Sequence, residues 1–192
     1  MRIYFDGPYI ILAGVFLILI VLFMIYKIKT TIYFNIFFIL FYIYIFQLIK
    51  YTQFPIVYIP DLIDRNSIMS QINYIPFSNI TKSPTNAFLN VILTMPFGFL
   101  LPFVKRIHSK KNILIWAIVL PVLIEGLQLI IALLTGYTER IIDVNDIIFN
   151  FTGVILGFWI FKRFIYFLKI ILNENEWTKN NFLKYISNTI NF

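Results

Sequence analysis

Cysteine is absent from these 192 residues, and histidine occurs once. The first absence removes disulfides, thiolate metal sites and a cysteine nucleophile, and leaves the redox compartment open. The second weighs against histidine-based zinc chemistry and a serine–histidine triad, since His108 stands alone in a Lys/Arg-rich stretch. Charge is scarce as well, at 13% of residues, while 60% are hydrophobic. Soluble domains carry about 25% charged residues and fewer than half apolar ones. A single core in a chain of this length cannot hide such an excess, so the solvent for much of the protein is lipid. The formal charge of +7 invites a nucleic-acid reading, but the basic residues flank apolar segments and line no polar face. They read as topology signals, and no nucleic-acid partner is expected.

Five apolar stretches approach the roughly 20 residues that cross a bilayer, at about 8–26, 30–49, 86–104, 112–134 and 147–165. The first is not read as a signal peptide. Arg2 and Asp6 offset each other ahead of it, Lys27 and Lys29 follow it, and no small-residue cleavage site appears. With the N-terminus outside, eleven Lys and Arg fall on the cytoplasmic side, and Arg2, Lys50, Arg65, Lys82 and Arg140 fall outside. The expected fold is an all-α polytopic membrane bundle of five transmembrane helices, N-terminus outside and C-terminus inside, in one domain over 1–192. Residues 51–85, interrupted by Pro55, Pro60, Pro76 and Pro84, form an external loop too apolar to be purely solvated. It is expected at the interface or dipping between helices. Ser83-Pro84 reads as a helix start, and the cytoplasmic tail 166–192 includes a short interfacial helix. No internal repeat is visible, and an odd span count argues against an inverted-repeat transporter.

The polar residues inside this apolar frame stand out. Glu125 lies near the middle of the fourth span with Gln128 one turn on, so both share one helix face. A carboxylate at that depth costs a few kcal/mol even on lenient scales, about 3, and so faces protein or water. Asn90 and Asn150 start at similar depth from the outside, and a common pocket would satisfy all four. The alternative is a polar clamp in which Gln128, Asn90 and Asn150 hydrogen-bond helix to helix. At the mouth of the fifth span, Arg140, Asp143, Asp146 and Asn150 crowd together. Three readings stay open: Asp143 as a helix cap with Asp146 suiting the dipole, an Arg140 site for an anion, or an oxygen site for a hard cation. Pro121 is expected to kink its helix, and Gly98, Gly153 and Gly157 read as close-packing positions.

The blocks INYIPF, NAFLNVILTMPFGFLLPF, IEGLQ and ERIIDVNDIIFNFTGVILG, in this order, resemble the VanZ-like membrane proteins. The resemblance covers roughly 70–160 and maps the family pattern onto Asn73, Pro76 and Phe77, then Asn90, Pro96 and Gly98, then Glu125 and Gln128. It continues through Arg140, Asp143, Asp146, Asn150 and Gly153. It implies a bacterial plasma-membrane protein of the cell envelope, associated with teicoplanin susceptibility, and it implies no cofactor, metal or reaction. The expected partner is an anionic lipid or lipid-linked wall precursor, drawn by Arg140 and by two helix N-termini at headgroup depth. Two alternatives remain beside this non-enzymatic role. One is a membrane enzyme on a lipid-linked phosphate, and the other a small proton-coupled transporter using Glu125.

Overall fold

Long runs of Ile, Leu and Phe between sparse breakers form the helices of a computed structural model. It describes residues 1–192 except 59–64, 79–83, 108, 138–141, 173–179 and 190–192, and at 65–67 and 187–188 the backbone alone. Helix α1 is Gly7–Phe23 and continues as a π-helical turn, Met24–Ile28, that ends where Lys29 turns left-handed (φ 58°). Helix α2 is Ile32–Gln53, started by Thr31, whose hydroxyl accepts from the Phe34 amide at 3.3 Å. A short α3, Arg65–Ser70, precedes α4, Pro84–Val104. Helix α5 is Lys110–Thr135, opened by Ser109 and closed by Gly136 at φ 71°, a left-handed cap that glycine adopts without a steric penalty. Helix α6 is Val144–Ile171, and α7 is Asn181–Thr189. Among the described residues the fold is all-α apart from an antiparallel pairing of β1 (Arg2–Ile3) with β2 (Ile56–Val57) and an isolated bridge between Asn73 and Asp143.

Among the described residues, four helical segments are long and apolar enough to cross a membrane: Gly7–Ile28, Ile32–Gln53, Pro84–Val104 and Lys110–Thr135. Helix α6 is longer than any of them but carries Asp146, Asn150, Lys162, Arg163 and Lys169 among its apolar residues. As a helix it begins three residues before the expected fifth span and runs six past it. Residues 166–171 are therefore helical. The second span also runs to Gln53 instead of closing at Lys50, so residues 51–53 belong to α2 and not to the loop. Helix α5 continues through Pro121. A short helix does form in the expected tail, as α7, and its Leu183 and Ile186 are buried.

The centre of the bundle is the contact between α4 and α6. Asn90 meets Asp146 and Thr94 meets Asn150, each pair 56 positions apart, and Gly98 lies against Val154. A constant offset means that the two helices run parallel in one register. Glycines allow the approach: a Cβ at Gly98 would fall on the Val154 carbonyl oxygen, at Gly153 on Val91 and Thr94, and at Gly157 on the Met95 carbonyl oxygen. Small residues let helix backbones meet closely where no hydrophobic effect drives them together. The close-packing reading of these glycines holds. Helix α2 lies antiparallel to α4, with Tyr44 donating to the Leu93 carbonyl at 3.0 Å and Phe37 stacked on Phe103 at 4.0 Å.

Candidate functional site

One end of the bundle gathers a network of polar side chains. Asp143 occupies the cap position of α6 and accepts the Asn145 amide at 2.8 Å, so the capping geometry is present. The same oxygen also accepts Asn73 Nδ2 at 2.8 Å. The Asn73 backbone completes the joint: its amide donates to the Ile142 carbonyl at 2.9 Å, and its carbonyl accepts the Val144 amide at 3.0 Å. Two backbone bonds and one side-chain bond thus lock the loop to the start of α6. Capping describes only half of what Asp143 does.

Asn73 Oδ1 folds the loop on itself, accepting the Ile75 amide at 3.1 Å and the Ser78 hydroxyl at 2.9 Å. An asparagine bonding two residues ahead is a local substitute for a backbone turn. Asn145 grips the far end of that turn. Its Oδ1 accepts the Phe77 amide at 2.6 Å, and its Nδ2 donates to the Ser78 carbonyl at 2.9 Å. Phe77 is left-handed at φ 63°, a conformation that costs a bulky residue about 1–2 kcal/mol. The surrounding bonds hold it there. Tyr74, Ile75 and Phe77 stand 68%, 67% and 64% exposed, so the rigid turn carries an apolar finger on its outside.

One turn deeper, Asn90 Nδ2 donates to Asp146 Oδ1 at 2.6 Å. Deeper again, the buried Thr94 hydroxyl donates to the Asn150 carbonyl at 2.8 Å. Asn150 itself is 1% exposed, and its side-chain oxygen has no hydrogen-bond partner among the described residues. The carboxylates that stripe α6 therefore face α4 and the loop. Among the described residues no three His, Asp or Glu side chains gather in a way that could hold a metal ion.

A second polar group lies on the α2–α5 seam. Glu125 is 5% exposed. On either side of it α5 is tied to the last turn of α2: Gln53 Nε2 donates to the Ile124 carbonyl at 3.3 Å, and Gln128 Nε2 donates to the Thr52 carbonyl at 2.8 Å. Gln128 thus bonds to α2, while across the α4–α6 seam Asn90 bonds to Asp146 and the Asn150 carbonyl to Thr94. Arg140, with the neighbouring Glu139, lies outside the described residues, as do Lys82, Ser83, His108 and the Arg65 side chain.

Several contributors escape a reading of the sequence. Thr52 and Gln53 follow the point where Lys50 seemed to close a span, and Ser78 follows the loop motif directly. Asn145 had a usable signal, an amide between two aspartates at a helix start. Pro76 lies in the turn, exposed and without a side-chain bond to make. Against known proteins, the VanZ/LLP1 family model matches residues 10–169. No curated protein and no solved structure matches the chain. The matched stretch contains both polar groups, the glycine seam and the loop joint, and the chain belongs to the VanZ/LLP1 family.

Proposed function

We propose that this membrane protein acts at the bacterial cell envelope by holding an anionic lipid or lipid-linked wall precursor at the polar end of its bundle, and so influences teicoplanin susceptibility. The observation that carries the reading is the apolar finger at Tyr74, Ile75 and Phe77, pinned beside the polar mouth of α6. An amphiphile needs both surfaces side by side, one for acyl chains and one for a headgroup. The first three amides of α6 are already engaged by Asn73 and Asp143. The anion therefore falls to Arg140 and to the exposed first turn of α4 at 84–86. Glu125 lies toward the same end, beside the last turn of α2.

In this reading α6 is the fifth span, the N-terminus is outside and the polar end faces out. Eleven cytoplasmic Lys and Arg against five outside support that orientation. Because the chain has no cysteine, single cysteines test it directly. An impermeant thiol reagent on intact cells should label Tyr74→Cys and spare Lys110→Cys; the reverse pattern contradicts the orientation.

The site itself is tested by conservative substitutions. Asn caps a helix as well as Asp does, so under a purely structural role Asp143→Asn is nearly neutral. Under a phosphate-holding role it removes charge near Arg140, and Arg140→Lys also fails because lysine lacks the planar fork. The expected result is loss of the teicoplanin effect in both variants at normal expression. Full function in both reduces this region to a helix start.

A further inference from the structure

The opposite end of the bundle holds a cavity that the outward reading does not use. It is a half-open cavity of about 450 Å³ between the α1–α2 turn, the end of α4 and α7. Lys29 and Arg106 line it from two different elements, with Thr30, Thr31 and Tyr185, and no acidic side chain among the described residues does so. The start of α2 lines it through Thr31 and Phe34, whose amide is already held by the Thr31 hydroxyl. Phe34, Pro102, Phe103 and Val104 form an apolar wall beside these donors. Helix α7 is fastened over the cavity by the Tyr185 hydroxyl, which donates to the Phe103 carbonyl, and by Phe37, which stacks on both Phe182 and Tyr185. Burial pushes the Tyr185 phenol up to about 12, so it stays protonated and keeps donating.

Lys29 adds a second observation. It is left-handed at φ 58°, a backbone state that glycine or asparagine occupies with the least strain. A lysine there keeps a cation at the rim at the expense of backbone comfort. We propose that this cavity binds a phosphate-type anion, seated in the membrane as the headgroup of an anionic phospholipid, with Lys29 and Arg106 as its cationic contacts. Basic pockets between helices at a membrane face suit such headgroups, and the apolar wall suits the first carbons of the chains. The site is independent of the ligand read at the other end of α4.

The test uses the full-length protein in neutral detergent and native mass spectrometry. Dioctanoyl phosphatidylglycerol is titrated against phosphatidylcholine of the same chains, with inorganic phosphate as competitor. Phosphatidylglycerol should saturate one site and phosphatidylcholine should not. Lys29→Gly should weaken phosphatidylglycerol about fivefold, and Lys29→Gly with Arg106→Gln about twenty-five-fold. Lys29→Gly also relieves the backbone, so its thermal unfolding temperature should not fall, which separates lost binding from lost folding. Displacement by inorganic phosphate assigns the contact to the phosphate alone, and resistance to it assigns the contact to the lipid. Either supports the site. Equal binding of the two lipids, or unchanged phosphatidylglycerol affinity in both variants, overturns it.

Discussion

Helices α1 and α6 are both long and rich in Ile, Leu and Phe, yet they meet opposite surroundings. Helix α1 buries none of its residues within the protein, and Leu12 stands 68% exposed. Helix α6 buries eight, among them Asn145, Asn150, Gly153 and Gly157. The most apolar candidate span is thus the least buried against the rest of the protein. The helix that carries polar and small residues lies inside. In a membrane the hydrophobic effect does not decide which helix is central; close backbone approach and polar bonds do.

The sharpest way to break this contrast is to add the same bulk at a glycine of each helix. Gly157→Leu places a side chain where even a Cβ meets the Met95 carbonyl, while Gly14 has open space around it. Gly157→Leu should cost at least about 3 kcal/mol or abolish folding, since a backbone carbonyl cannot yield as a side chain can. Gly14→Leu should leave stability unchanged or raise it by up to about 1 kcal/mol through helix propensity. Thermal unfolding in detergent reads both. Equal losses would mean that α1 is packed after all.

Next in size is Asn73→Ala, which removes the bond to Asp143 and both bonds that shape the turn. Losing these should cost about 2 kcal/mol and release the finger, detectable as faster proteolysis near residues 74–78. An unchanged cleavage pattern would show that the backbone pairing at Asn73 suffices. The smallest effect on stability is expected for Glu125→Gln, below about 1 kcal/mol, because an amide is cheaper to bury than a carboxyl. Its effect on teicoplanin susceptibility should nonetheless be complete. A variant that keeps the phenotype would make Glu125 a packing residue between α2 and α5.

How much of this could be read beforehand follows the range of the interactions. Hydrophobic run length located the helices, and the i, i+4 spacing of Gly153 and Gly157 marked a packing face. Asp143 was recognisable as a cap because capping is local, involving residues two positions apart. The joint between Asn73 and α6 spans 70 positions, and that between Gln128 and α2 spans 76. No periodicity encodes such pairings; only the fold brings them together. The end of α2 lies beyond the boundary its charge pattern suggests for a related reason. Lys50 looks like a boundary charge, but the helix continues because Thr52 and Gln53 find partners on α5 and not in water.

The central claim is that the finger at the mouth of α6 is a lipid-binding surface and the exposed flank of α1 merely a lipid-facing one. Photocrosslinking in cells compares them directly, with a benzophenone amino acid at position 75 in one strain and at position 12 in another. The two positions are almost equally exposed, at 67% for Ile75 and 68% for Leu12. Position 75 should capture one class of phosphate-bearing lipid above its share of the membrane, and Arg140→Gln should abolish that enrichment. Position 12 should return the bulk composition. Identical lipid profiles at the two positions, unaffected by Arg140→Gln, would contradict the account.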